Sequence, residues 1–451
     1  MEKRYMGFDD LLVRGAEEYG DKVALVFGDD KSTASWKELD AQVRARAAEL
    51  SASGKTSIAI LANGSYPCFV EILAANIAGL QVAILDESTP DAFMPILLAG
   101  SEADALWCSR PERAEALSAY LGAGVTDGAR RILFLTSGTT SRSKFVALTD
   151  ESLMAAPWTG APLFPLEQDD RLLSILPMAH VFGFVCGILW PLHCGAEVAL
   201  GRGPRHYIDD CRHFDPTAIS VVPNLLAFLM AHNLFNDRLK AVLIGAGDCG
   251  PELLAALQAK VPRVAFGYGL TETSSGVALG CGADPRAMEV CPAFKVTIAD
   301  DGEVLIASDT NMMQGYYRRP EDTAVALEGG VLHTGDLGYL DEDGCLHITG
   351  RKKEMLVLGS GTKVYLPEYE AEIHAALGTP EAAVALVDDK LTLVLGKTEL
   401  TAAKAMELIA DIQAKTPRAQ QIVRVIELGH ELPRTAVGKL KRWEMQGEVE
   451  R

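Results

Sequence analysis

The segment LFLTSGTTSRSKFVAL, residues 133–148, carries six hydroxyl side chains between Thr136 and Ser143, and Lys144 follows at once. Hydroxyls and backbone N–H groups donate hydrogen bonds and an ammonium supplies charge, so the set suits an oxyanion with several oxygens, such as a phosphate. The same residue types also make plain turns, because Ser and Thr bond nearby backbone and Gly accepts positive φ. The segment alone leaves both readings open. It is not a Walker loop, since the GxxxxGK[ST] spacing is missing; Ser53-Gly54-Lys55-Thr56 fails as well, because Glu49 stands where the first glycine belongs.

Four further segments carry chemistry-bearing residues. GYGLTETSS, residues 267–275, sets Tyr268, Gly269, Thr271 and Glu272 just after the strand-like Val264–Phe266. Ligands of parallel-sheet proteins gather at the carboxyl ends of strands. A ring, a hydroxyl and a carboxylate there serve either a nucleotide and its metal, or a loop with a buried Tyr and a capping Thr. HTGDLGYLDEDG, residues 333–344, is expected to hold Asp336 in a tight turn, as a turn former or a ribose ligand, with DEDG as a hairpin turn. GRKKEMLVLGSGTKVY, residues 350–365, is a charged junction, and LPRTAVGKLKR, residues 432–442, a basic loop close to the last residue.

These segments need a scaffold. At 451 residues the chain is too long for one simple core, so two or more domains are expected. Up to about residue 350, buried-strand patterns alternate with helical ones, as in TSIAILAN, YPCFVEILAANIAGL and QVAILD, the βαβ rhythm of a parallel sheet. From about residue 290 short strands and tight turns take over, and roughly the last hundred residues read as a compact α+β unit. The expected fold is α/β: a large N-terminal domain of βαβ sheets with a small β-rich subdomain, then a mobile α+β C-terminal domain. The expected boundary separates residues 1–352 from 353–451, with a hinge near Lys353.

The 42 Lys and Arg against 61 Asp and Glu give a net charge of −19, which disfavours nucleic acid or an anionic membrane as partner. No apolar run reaches spanning length, and MEKRYMGFDD is not a secretory signal. Nine scattered cysteines, an odd count without a CxxC pair, point to reduced thiols in a cytoplasmic protein.

Together and in this order, the five motif segments resemble the adenylate-forming superfamily: acyl- and aryl-CoA ligases, luciferases and the adenylation domains of peptide synthetases. The resemblance covers essentially the whole chain, and EYGDKVALVFGDDKSTASWKELDAQV is similar to the family's N-terminal segment. It implies that the opening stretch is the phosphate-binding loop TSGTTGxPKG. Thr136, Ser137, Gly138, Thr139, Thr140 and Lys144 match; Ser141 replaces a Gly, Ser143 a Pro and Phe145 a Gly, so the loop loses permissive residues and a rigid one. Tyr268 and Gly269 resemble the adenine-stacking segment, with Gly245 and Ala246 lining the same pocket. Thr271 is implied to bond the α-phosphate and Glu272 to hold Mg²⁺. Asp336 and Arg351 match the ribose ligands, Lys353 the hinge position, and Lys439 the lysine that reaches the reacting carboxylate.

The implied activity is ATP-dependent activation of a carboxylic acid to an acyl-adenylate, then transfer to CoA. His180 matches the histidine that borders the acid pocket in acyl- and aryl-CoA ligases; as a residue it could equally be a satisfied core histidine. The segment PMAHVFGF lacks the Asp that holds an amino acid's ammonium, and the flanking VFGFVCGILW is strongly apolar, which suits a fatty or aromatic acid and equally a core helix. The stretch from Tyr316 to Arg351 runs without the insertion typical of members that load carrier proteins, which favours CoA. Transfer to a carrier protein, or a non-catalytic nucleotide sensor on the same scaffold, are the alternatives.

Overall fold

The computed structural model describes residues 6–136, 144–247, 249–357, 363–388, 390–416, 420–434 and 440–449. It divides into two compact units. One comprises Met1–Ile298, Leu305–Thr334 and Leu340–His347; the other comprises Ala299–Val304, Gly335–Tyr339 and Ile348–Arg451.

Two sheets organise the first unit. A six-stranded sheet runs Gly315–Tyr316, Phe145–Leu148, Ile132–Leu135, Gln81–Asp86, Ser57–Ala62, Ala105–Trp107 in spatial order. Its strands Ser57–Ala62 and Gln81–Asp86 pair in parallel and are buried almost throughout, which is why they read as unbroken apolar runs. In the nine-stranded sheet, Arg171–Ser174 lies between Glu197–Leu200 on one side and Ala218–Val221, Ala241–Ile244 and Arg263–Leu270 in order on the other. These pairs are parallel, so strand order reverses at Arg171–Ser174. A topological switch point of this kind leaves a crevice beyond the carboxyl ends of the strands. Phe184 anchors the core: its ring lies 5.8 Å from Phe134, 6.2 Å from Phe69 and 6.1 Å from Phe8. Burying each such ring contributes about 1.5–3 kcal/mol.

The helix Asp150–Gly160 starts from Thr149, whose hydroxyl accepts from Ser152 N at 3.1 Å. Its first residue, Asp150, accepts from Phe8 N at 3.1 Å and so fastens the helix Phe8–Glu18. Burial, reinforced by the neighbouring Glu151 carboxylate, pushes Asp150 up to about 6. A carboxyl raised on folding holds its proton more tightly in the native state, so stability falls as pH rises from about 4 to about 6 and stays lowered above that. Asp150→Asn keeps the acceptor and removes the buried charge. Thermal melts are expected to show the variant up to about 2 kcal/mol more stable at neutral pH and equal to the parent near pH 4.

The second unit packs helix Leu366–Leu377 on a three-stranded sheet of Ala382–Val387, Lys390–Leu395 and Arg424–Glu427, around Ile373, Val384, Leu393 and Ile409. Arg442 forks onto the buried Glu370 carboxylate at 2.9 and 2.5 Å, tying in the helix Arg442–Val449.

Candidate active site

Strands Ile132–Leu135 and Phe145–Leu148 form an antiparallel hairpin in the register Leu135 to Phe145. Its mouth is closed by Thr136 N donating to Lys144 O at 2.9 Å and Lys144 N donating to Thr136 Oγ1 at 3.1 Å. Ser137, Gly138, Thr139 and Thr140, with Ser141 and Ser143, lie outside the described residues. Phe145 is a strand residue rather than a loop residue: its side chain is buried, and a Cβ at Gly100 would touch its ring at 3.4 Å. That departure from the family motif therefore fills the core instead of stiffening a loop.

Lys144 does not stand alone. Its ammonium pairs with Asp322 Oδ1 at 2.9 Å and sits 4.5 Å from the centre of the Tyr316 ring. The Tyr316 hydroxyl in turn donates to Glu272 Oε1 at 2.7 Å. One phenol thus links the lysine of the hydroxyl-rich segment to the carboxylate of GYGLTETSS, with Tyr316 itself 44 positions from Glu272 in sequence. The backbone explains how. Gln314 N and Tyr317 N donate to Ala147 O and Phe145 O, while Met313 N donates to Glu272 O, each at 2.8 Å, so residues 313–317 lace one strand to the loop of the other sheet. Burial and the Glu272 carboxylate push the Tyr316 hydroxyl far up, which keeps it a donor. Sequence reasoning missed Tyr316 and Asp322; the tyrosine following Gly315 is a weak signal without the fold.

Thr271 opens a short 3-10 turn, Thr271–Thr273, and Ser274 N donates to Thr271 O at 3.1 Å. The buried Thr273 hydroxyl accepts from Leu270 N at 3.0 Å and donates to Ser275 O at 2.9 Å, fixing the loop from within. Gly269 is compulsory here, because a Cβ would lie 1.8 Å from Ser275 O. Ser275 at φ 109° and Ala246 at φ 60° are left-handed without being glycine, and such strained backbone collects at functional sites. Gly245 follows the strand Ala241–Ile244, and a Cβ on it would meet the Phe182 ring at 3.0 Å and Gly267 O at 3.5 Å. Gly245, Ala246 and the Gly267–Gly269 segment that carries the half-buried Tyr268 are thus neighbours at the carboxyl ends of two paired strands. His180 precedes the helical turn Val181–Phe184, beyond the end of Arg171–Ser174, and is exposed. It is no core histidine.

In the second unit, Asp336 is not in a tight turn. It lies inside the continuous strand Val331–Leu340 and is buried. The turn follows at DEDG, where Gly344 N donates to Asp341 O at 3.0 Å. The preceding Gly335, at φ 69°, supplied the turn-like sequence signal. Arg351 Nε pairs with Asp336 Oδ1 at 2.9 Å, so the structure brings these two expected ribose ligands together. Lys353 sits in the 3-10 turn Lys352–Glu354, and Lys439 lies outside the described residues.

Among the described residues no group of three or more His, Cys, Asp or Glu could hold a metal. Glu272 is a half-exposed carboxylate with Oε1 engaged by Tyr316. That donor set fits Mg²⁺ bound with substrate phosphates, which needs only one or two protein carboxylates, and not an all-protein cage.

A lysine and a carboxylate joined through one phenol, near glycine turns at the ends of paired parallel strands, are the features of an α/β enzyme whose site lies at the carboxyl ends of its strands. The chain belongs to the AMP-binding enzyme family, whose model matches residues 131–317. It is an adenylate-forming acid–CoA ligase. A 3-[(3aS,4S,7aS)-7a-methyl-1,5-dioxo-octahydro-1H-inden-4-yl]propanoyl:CoA ligase of Mycobacterium tuberculosis is 32% identical over 73% of this chain and 68% of its own. A 2-succinylbenzoate–CoA ligase of Bacillus cereus is 30% identical over 70% of each. The same fold occurs in o-succinylbenzoate CoA synthetase of Bacillus subtilis in complex with its acyl-adenylate intermediate, with TM-score 0.80, 22% identity and coverage of 99% and 98%. ATP-bound MatB of Rhodopseudomonas palustris superposes with TM-score 0.79 at 22% identity over 99% of both chains. Among the described residues no helix is long and apolar enough to cross a membrane.

Proposed function

We propose that this ligase joins an apolar carboxylic acid to CoA in two half-reactions at one site. In the first, a carboxylate oxygen attacks the α-phosphorus of ATP and pyrophosphate leaves. In the second, the CoA thiol adds to the carbonyl carbon and AMP leaves with the bonding pair. Two anions must meet in the first step, so the site needs fixed positive charge and oriented donors.

In this reading Tyr268 stacks on adenine between Gly245, Ala246 and Gly269, and Asp336 with Arg351 takes the ribose hydroxyls. Thr271 bonds the α-phosphate. Thr136, Ser137, Gly138, Thr139, Thr140 and Lys144 hold the β- and γ-phosphates. Mg²⁺, held by Glu272, supplies charge neutralisation of the phosphates. Lys439 pairs with the carboxylate, His180 borders the acid, and the small domain turns about Lys353 so that the adenylate meets the thiol and not water. The proposed compartment is the cytoplasm, supported by nine scattered cysteines without a paired spacing.

The observation that carries the reading is the Lys144–Tyr316–Glu272 chain, which sets a cation and a carboxylate on one phenol. Tyr316→Phe keeps the ring under Lys144 and deletes the bond to Glu272. A bond to a charged group is worth about 1.5 kcal/mol or more, so acid-dependent ATP–pyrophosphate exchange should fall about tenfold at low Mg²⁺ and recover in part at high Mg²⁺. Calorimetric ATP titrations with and without Mg²⁺ should show the same Mg²⁺-dependent weakening. Unaltered Mg²⁺ dependence in both would remove Glu272 from the metal.

A further inference from the structure

Beneath the glycine turns lies an apolar cavity of about 40 Å³, walled by Val185, Cys186, Leu243, Gly276, Leu279 and Phe164. Its place ties it to the site just described. Leu243 is two residues before Gly245, Gly276 pairs with Gly269, and Cys186 is one turn beyond Phe182, with its thiol 3.4 Å from the Ser275 hydroxyl. A second, larger cleft of about 660 Å³ is lined by Val261, Arg263, Gln258 and Cys281, and Phe164 lines this one too. Phe164 is therefore the partition between a small apolar cavity and a large open cleft.

It is a braced partition. The ring is buried and stacks on Trp190 with centroids 5.8 Å apart. On it rests the Arg263 guanidinium, 4.7 Å from its centre and itself held by Pro165 O at 2.5 Å. A water molecule occupies about 30 Å³ of liquid, so the small cavity takes little more than the end of a ring or a short branch.

We propose that Phe164 is the floor of the acid pocket and limits this ligase to compact apolar acids, those whose tail ends within a single ring or a short branched chain. The inference rests on the ligase reading and deepens it by assigning the substrate class. With the ring removed, the acid pocket opens into the cleft beside Cys281 and Arg263, and a longer tail can pass.

The test measures kcat/KM for acid-dependent pyrophosphate release with straight-chain acids from butanoate to dodecanoate and with benzoate, phenylacetate and 3-phenylpropanoate. The parent chain should favour the short and single-ring acids. Phe164→Ala, and Phe164→Leu as the variant that keeps a buried apolar side chain, should raise the decanoate-to-butanoate ratio at least tenfold, the scale at which a hydrophobic pocket discriminates a methylene. Gly276→Ala is the converse probe, because a Cβ there meets nothing within 4 Å and projects into the space the acid would take. It should cut turnover of the ring acids about tenfold more than that of butanoate. A ratio unmoved in both Phe164 variants, or a parent that takes dodecanoate as readily as butanoate, overturns the floor while leaving the ligase intact. Silence of the parent with every acid overturns the ligase reading itself.

Discussion

Lys439→Ala is expected to slow acyl-adenylate formation by about two to three orders of magnitude, the usual loss when one preorganised charged donor is removed from a developing anionic centre. Thioester formation from pre-made acyl-adenylate should be nearly unchanged. The asymmetry follows from the chemistry. Only the first half-reaction drives a carboxylate against a phosphate; in the second, a thiol meets a neutral carbonyl carbon already bearing a good leaving group. A lysine delivered by one orientation of the small domain can serve the first and be absent from the second. Single-turnover measurements of the two steps separate them, and equal losses in both would contradict a site rebuilt by rotation about Lys353.

The second large effect concerns Asp336. This carboxylate is buried and paired with Arg351, which holds it in place. If Asp336 holds the ribose as proposed, Asp336→Ala would remove two charge-assisted bonds, each worth roughly 1.5–3 kcal/mol, and should raise the apparent ATP requirement by at least about a hundredfold. Acid binding without ATP should stay put. Discrimination between ATP and 2′-deoxy-ATP gives a readout that a merely structural carboxylate would not move: the parent should prefer ATP, and the variant should lose that preference. An unchanged ATP dependence in the folded variant would return Asp336 to a structural role.

Much of this arrangement was legible in the residue order because parallel strands carry it. Runs such as TSIAILAN and QVAILD are apolar on both faces, and the strands Ser57–Ala62 and Gln81–Asp86 are buried on both faces. Motif residues at the ends of such strands inherit their places from the sheet, which is why Gly245 and Tyr268 fall together. What local pattern could not show was long-range or ambiguous. Gly335 next to Asp336 looks like a turn, yet the strand runs straight through because Glu303 receives the Gly335 N–H at 2.8 Å and anchors Lys352 at 3.0 Å. Phe145 looks like a misplaced loop residue until its ring is seen packed in the core. Tyr316 carries no spacing relation to Glu272; backbone bonds at residues 313–317 alone bring them to 2.7 Å. Phe164 is one more apolar residue in its sequence neighbourhood, and only the two cavities on either side of it distinguish it.

On the proposed mechanism, one site adenylates an acid and then hands the acyl group to CoA. This is tested with the purified chain, ATP, Mg²⁺ and the panel of apolar acids, following pyrophosphate, AMP and the acyl product with and without CoA. Acid-dependent pyrophosphate release is expected to be slow or stoichiometric without CoA, because acyl-adenylate stays bound. With CoA it should become catalytic, with AMP and acyl-CoA formed in equal amounts. Pyrophosphate release indifferent to CoA, with acyl-adenylate accumulating and no thioester formed, would contradict it.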